Sequence, residues 1–254
     1  MTVAMNQAIT PKQRLRILSH RVRTTLRPLV LRGLAGLRRA SPARADRWAE
    51  TTARYLNSMV PPTSADVVGN YVRGLILFGV PGSSDAYKWD RFSARAIITP
   101  DTAKVPRSIH QQLLRRYEVR YDCDFEAVLA GCQEGRSGWL TPAAVDIYRK
   151  LHARGFIATV ETYRDGVLVG GVWGIEVGRT LGLMSAFHVE NHAGSVAWAS
   201  LANIVASRGR WTTIDCGVAG NSHFERFGAT DVPVGRLCER ILEGLAPSRA
   251  APSL

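Results

Sequence analysis

A carboxylate, an imidazole and a hydroxyl stand near the ends of two short apolar strands, where they could move protons. Asp215 lies in the strand 212–216, and a second strand carries Ser185 and ends at His188. A carboxylate of raised basicity can orient or deprotonate an amine, and an imidazole titrates near neutral pH. Asp215, Ser185 and His188 are therefore the candidate catalytic residues. Structural roles stay open: Asp215 could cap the helix at Asn221, and His188 could be a hydrogen-bonded strand residue.

These residues belong to the segment 138–215, around which the chain is organised. Thr141-Pro142 predicts the start of a helix, and the region 159–187 holds three apolar runs. Asp165-Gly166 joins two of the runs and predicts a hairpin with a type I′ turn, because both central residues of that turn need a positive φ. Gly178-Arg179 joins the next two. The order helix, three strands, helix, strand predicts an acyltransferase-like α/β layer.

The flanking segments predict further short elements. Before the central segment we expect a helix at 65–72, a strand or tight apolar turn at 74–80, a strand at Ala94–Thr99, a helix at 106–116, a strand at 117–121 and a helix at 124–132. After it we expect a helix at 196–207, a helix at 221–227, a strand around Val232 and a last helix at 234–245.

The composition predicts four parts. We expect residues 1–58 to form a basic helical arm that ends before Pro61-Pro62, residues 62–116 a small mixed domain, residues 117–246 a larger α/β domain and residues 247–254 a disordered tail. Of the net charge of +12, almost all lies in residues 1–55, which hold 12 Lys and Arg against Asp46 and Glu50. Such an arm favours binding to nucleic acid phosphates, and a merely solvated or membrane-surface helix is the alternative.

The four cysteines form no CxxC pair and predict neither a zinc site nor a disulfide framework. No apolar run approaches the roughly 18 residues that a spanning helix needs, and no signal peptide is recognised. We expect a cytoplasmic protein.

Several motifs, in order, resemble the leucyl/phenylalanyl-tRNA protein transferase family, whose C-terminal domain has the GNAT-like acyltransferase fold. They cover about residues 65–242 and include the following segments: Asn70-Tyr71-Val72-Arg73-Gly74, Trp89 before Arg95-Ala96-Ile97, Pro106-Arg107-Ser108, Gly138-Trp139-Leu140-Thr141-Pro142, Gly170-Gly171-Val172-Trp173-Gly174, Ile214-Asp215-Cys216, and His223-Phe224-Glu225-Arg226-Phe227-Gly228-Ala229.

The resemblance implies an α/β fold with a GNAT-like domain and an enzyme that moves an amino acid from aminoacyl-tRNA to an amine, usually a protein N-terminus. It implies no metal or organic cofactor. Trp89 and Trp139 would stack on the tRNA end, and Arg107, Arg115 and Arg116 would meet its phosphates. Met184, Ala186, Phe187 and Ile214 would line the pocket for the donor side chain.

The chain departs from the family at polar positions of the site. Gly217 stands where the family has Gln, Met184 replaces a Glu and His188 replaces a Ser. We therefore expect that the donor need not be Leu or Phe and that the acceptor amine could belong to a small molecule.

Two other functions stay open. A CoA-dependent GNAT acyltransferase would use the loop 191–196, which keeps Gly194 but has Val196 at its last small position. A non-catalytic tRNA-binding relative would explain both the basic arm and the lost polar residues.

Overall fold

The computed structural model describes residues 62–134 and 138–245. The helices are α1 Ser64–Val72, α2 Arg107–Arg116, α3 Phe125–Glu134, α4 Pro142–His152, α5 Ala193–Ala206, α6 Ser222–Glu225 and α7 Val234–Leu245. The strands are β1 Leu75–Gly79, β2 Tyr87–Arg91, β3 Ala94–Ile98, β4 Glu118–Tyr121, β5 Ile157–Arg164, β6 Val167–Val177, β7 Thr180–His188, β8 Thr213–Val218 and β9 Thr230–Pro233. The basic arm and the disordered tail expected from the sequence lie outside the described residues.

Seven strands form one sheet in the order β4-β5-β6-β7-β8-β3-β9, and β1 and β2 form a separate hairpin. Every neighbouring pair is antiparallel except β7 and β8, which are parallel and pair only over Thr180–Gly182 and Thr213–Asp215. Beyond Gly182, β7 continues along β6, while β8 continues along β3. The two strands therefore part, and we call this opening the fork.

Helices cover both faces of the sheet. On the first face, α1, α3, α4 and α7 bury a core around Trp173, Ile175 and Ile97. On the second face, α5 and α2 bury another core around Val172, Leu181 and Ile214. Burial of apolar area on both faces is the main source of stability, and it holds the fork between two packed layers.

The turn between β5 and β6 has the predicted geometry. Asp165 and Gly166 have φ values of 51° and 77°, as a type I′ turn requires. The predicted strand at Ala94–Thr99 and the predicted last helix are also confirmed, with ends that differ by at most one residue.

Two elements differ from the expectation. The strand β2 was not expected, because Lys88, Asp90 and Arg91 make it polar; it is stabilised by pairing with β1. The helix expected over 221–227 is only the single turn α6, because Gly228 has a φ of 92° and the amide of Ala229 donates to the carbonyl of Phe224, which closes the turn.

The strand β3 links the two proposed domains. It lies within 62–116 in sequence, yet it pairs with β8 and β9, which lie within 117–246. The division near residue 116 stays a prediction, and such a boundary would pass through one continuous sheet.

Among the helices of residues 62–134 and 138–245, none is both long enough and apolar enough to cross a membrane.

Two glycines with positive φ test how tightly the turn after α6 is packed. Gly166→Ala should cost about 1 kcal/mol of unfolding free energy, because a Cβ there meets nothing and only the left-handed backbone is strained. Gly228→Ala should cost about 3 kcal/mol, because its Cβ would also overlap the Thr102 carbonyl oxygen. Urea unfolding measures both. Equal losses of unfolding free energy in the two variants would show that the turn at Gly228 can move away from Thr102 at no cost in free energy.

Candidate active site

Asp215 is the most enclosed charged residue at the fork. Its side chain has 0 % exposure, and its carboxylate accepts hydrogen bonds from Arg95 Nε at 3.1 Å and Arg95 Nη2 at 2.5 Å. The hydroxyl of Tyr71 and the amide of Gly217 donate to it at 3.0 Å each. Both oxygens are therefore occupied by donors from α1, β3 and the end of β8.

Burial and the neighbouring charges act in opposite directions on this carboxyl group. Burial raises the pKa of Asp215, while Arg95, the Gly217 amide and the Tyr71 hydroxyl oppose that rise. Burial, with the nearby Asp215 charge, also raises the pKa of Tyr71, which therefore stays protonated and donates. A buried pair with this many donors holds neighbouring strands in register.

The cluster of Tyr71, Arg95 and Asp215 lies directly at the point where the strands part. Asp215 is opposite Gly182, which is the last residue of β7 that pairs with β8. A Cβ on Gly182 would lie 2.0 Å from the Tyr71 hydroxyl oxygen. Glycine at this position is thus required for α1 to approach the sheet.

A cavity of about 430 Å³ opens at the fork, beside the second half of β7. Its volume is within the range of small-ligand sites, which is roughly 300–1,000 Å³. Residues from β6, β7, β8, α5 and α6 and from the loop before α5 line it: Val172, Leu183, Met184, Ser185, Ala186, His188, His192, Gly194, Ser195, Trp198, Cys216, His223 and Phe224.

The cavity has a mixed lining. Val172, Leu183, Met184, Trp198 and Phe224 are its larger apolar residues. Its polar residues are three histidines, two serines and a cysteine. No carboxylate lines the cavity among residues 62–134 and 138–245, nor do three possible metal ligands converge in these segments.

Four of the predicted site residues line this cavity together: Ser185, His188, Met184 and Ala186. The register between β6 and β7 shifts between Trp173 and Gly174, which leaves Met184 as an extra residue between Leu183 and Ser185. This bulge interrupts the alternation of side chains along β7, and the four successive residues from Leu183 to Ala186 all line the same cavity.

Asp215, Phe187 and Ile214 do not line it. Asp215 faces the first face, while its neighbour Cys216 lines the cavity. The ring of Phe187 packs close to Gly131 and Gly171 on the first face, and Ile214 is fully buried in the core of the second face. The roles of all three residues stay predictions, and the carboxylate of Asp215 is bonded to Arg95, Tyr71 and Gly217 on the first face.

The two candidate stacking residues pack against the core of the first face. Trp89 lies in β2 opposite Leu77, and its Nε1 is buried without a partner among the described residues. Trp139 contacts the rings of Phe78 and Trp173. The cavity lies at the fork and neither indole lines it, so stacking on tRNA stays a prediction without support from the cavity.

The basic helix α2 is followed by a residue that contacts the loop before α5. Arg107, Arg115 and Arg116 of α2 are exposed. The hydroxyl of Tyr117, the residue after α2, donates at 3.0 Å to the carbonyl of Asn191, which precedes the cavity residue His192. The C-terminal end of α2 is therefore joined to a loop that contributes to the cavity.

The predicted site residues did not include the aromatic residues Trp198 and Phe224 of the cavity lining, nor two of its three histidines, His192 and His223. Trp198 and Phe224 contact each other with ring centroids 4.5 Å apart, yet they are 26 residues apart in sequence. Phe224 does follow His223 in a recognised motif, and this adjacency was the available signal. No sequence pattern indicated a role for Trp198 in the site, because a tryptophan in an apolar helix is usually a core residue.

Comparison with known proteins identifies the family. Residues 97–241 match the family model described as leucyl/phenylalanyl-tRNA protein transferase. The chain belongs to this family. A leucyl/phenylalanyl-tRNA protein transferase of Rubrobacter xylanophilus is 33 % identical over 71 % of this chain and 93 % of its own length. One of Myxococcus xanthus is 32 % identical over 72 % of this chain and 77 % of its own.

Solved structures with a similar fold include FemX and a GCN5-related N-acetyltransferase from Kribbella flavida. FemX is 11 % identical with a TM-score of 0.41 and covers 56 % of this chain and 60 % of its own. The Kribbella protein is 12 % identical with a TM-score of 0.35, covering 65 % and 60 %. The expected family is confirmed by the family match, and the expected α/β fold class by the seven-stranded sheet with helices on both faces. The region that matches the transferase family includes every cavity residue.

Removing one member of the buried pair should destabilise this transferase. Asp215→Asn should cost about 3 kcal/mol of unfolding free energy, because it leaves the Arg95 guanidinium uncompensated. The double variant Arg95→Met, Asp215→Leu should cost less than the single change, because no buried charge remains. Urea unfolding of the single and double variants measures this. Asp215→Asn that keeps its stability but loses transfer would instead place the carboxylate in the chemistry.

Proposed function

We propose that the protein is an aminoacyl-tRNA-dependent aminoacyltransferase that moves an amino acid from a charged tRNA to an amine. Membership of the transferase family supports this, since its relatives carry that activity in their names. The observation that carries the proposal for this chain is the cavity at the fork, whose loop before α5 is contacted by the residue that follows the basic helix α2.

The donor side chain would occupy the cavity, in contact with its apolar residues. Val172, Leu183, Met184, Trp198 and Phe224 offer no charged partner, so a charged donor side chain would lose its hydration without compensation. An apolar amino acid, such as leucine, methionine or phenylalanine, is the donor that this lining favours.

The tRNA would approach over α2. Arg107, Arg115 and Arg116 form no ion pair with other described residues, so their guanidinium groups are free to meet phosphates. Because Tyr117 joins the end of α2 to the loop at Asn191, phosphates bound by α2 would bring the acylated end to the cavity.

The reaction exchanges an ester for an amide. The acceptor nitrogen attacks the ester carbonyl carbon, a C–N bond forms and the C–O bond to the ribose breaks. One proton of the ammonium form goes to water before the attack, and a second moves from nitrogen to the departing ribose oxygen. The acceptor would be a protein N-terminus or a small amine, and the protein would act in the cytoplasm, where charged tRNA is found.

Incubation with charged tRNAs tests the function. Leucyl-, methionyl- or phenylalanyl-tRNA should donate about 100-fold faster than aspartyl- or lysyl-tRNA, with products detected by mass among N-terminal peptides and small amines. Ala186→Trp should abolish transfer by filling the cavity, whereas Val189→Trp should not, because this exposed residue three positions further on does not line it.

No transfer from any charged tRNA at low ionic strength would overturn the proposal. Binding of tRNA without turnover would favour a non-catalytic relative. A rise in melting temperature on addition of CoA, together with no detectable binding of tRNA, would favour a CoA-dependent acyltransferase.

The salt dependence of tRNA binding tests the approach over α2. Arg115→Ala, Arg116→Ala should weaken binding and lower the slope of log K against log salt by about 1 for each lost phosphate contact. Arg154→Ala is the matched control, since Arg154 is exposed after α4. Equal slopes for the wild type and the double variant would exclude α2 from the interface.

A further inference from the structure

The transfer proposed above needs a group that takes a proton from the attacking nitrogen, and the inference below rests on that proposed function. Among the described residues, the proton acceptor must face the cavity at the fork. Asp215 does not, because it has 0 % exposure and its carboxylate is held by Arg95, Tyr71 and Gly217.

The hydroxyls and the thiol of the cavity are poor proton acceptors. The hydroxyls of Ser185 and Ser195 are hardly basic at neutral pH. Burial raises the pKa of the Cys216 thiol, as does the nearby Asp215 charge, so this residue stays protonated. The imidazoles of His188, His192 and His223 remain.

Of these three imidazoles, that of His223 lies beside three aromatic rings, although the residue itself is exposed. Its ring contacts those of Trp198, Phe224 and Phe227 at centroid distances of 6.2, 5.5 and 5.7 Å. Its backbone is fixed as well, because the amide of His223 donates to Asn221 Oδ1 at 3.0 Å. A proton acceptor with a fixed ring orientation contributes most to a transition state.

We infer that His223 accepts the proton of the attacking acceptor nitrogen and returns it to the departing ribose oxygen. The nitrogen enters as a neutral amine that has already lost one proton to water. As the C–N bond forms, its second proton moves to the imidazole; as the C–O bond breaks, the imidazolium gives that proton to the ribose oxygen. The imidazole is thus unchanged after each cycle, and no oxidant or further reactant is needed.

The charged and titratable groups around His223 favour its neutral form. Burial lowers the pKa of His223 below 6.5, and Arg226 and His188 lower it further. His192 and Cys216 face the same cavity from the loop before α5 and from β8, and Glu225 adjoins it in α6. Because the neutral form is the active one, activity should persist at pH 6.5 and be lost as the pH falls through the lowered pKa.

Chemical rescue tests this role. With saturating donor and acceptor, His223→Ala should lower kcat by about 100-fold or more. Added imidazole should restore part of it, because the vacated space opens onto the cavity, and substituted imidazoles should rescue better as their basicity rises. His152→Ala is the matched control: His152 is an exposed histidine stacked on Phe125, outside the cavity lining. It should change kcat less than twofold.

Each result of these measurements either supports or overturns the role of His223. A folded His223→Ala with wild-type kcat, or with a loss that no imidazole rescues, overturns the inference while the transferase function of the wild type stands. If His223→Ala does not fold, His223→Gln replaces it in the kcat measurement, with a loss of about 100-fold expected. The wild type alone gives an independent measure: a kcat that shows no fall on the acid side at any pH at which the protein stays folded also overturns the inference. Wild type without transfer means that the proposed function itself fails.

Discussion

The buried cluster of Asp215, Arg95 and Tyr71 is the interaction on which the rest of the structure depends. It joins α1, β3 and β8 at the point where β7 and β8 stop pairing. A sheet that parts in its middle loses backbone hydrogen bonds, and the multiple donors to one carboxylate limit how far the opening runs. The point at which β7 and β8 part is therefore fixed, and with it the place of the cavity beside the second half of β7.

Locally encoded features could be predicted from the sequence. Asp165-Gly166 fixed a hairpin because only residues tolerant of positive φ form that turn, and the last helix follows from its apolar periodicity. The ordered motifs were sufficient for the family. In each case the signal lay within a few residues, so no knowledge of long-range packing was needed.

The composition of the cavity could not be predicted in the same way. In β8, Asp215 and Cys216 are adjacent but face opposite sides of the sheet, and strand alternation alone does not tell which side holds a cavity. The bulge at Met184 interrupts the alternation of β7, and the polar β2 is a strand only because β1 pairs with it. These facts depend on tertiary contacts between distant segments.

Gly217 limits which side chains the end of β8 can carry. Its φ is 95°. Its amide donates to Asp215, so the backbone conformation is tied to the buried cluster. Any L-residue introduced there is strained by roughly 1–2 kcal/mol. A polar side chain such as glutamine at position 217 would thus be penalised through the backbone before it could contribute to the site.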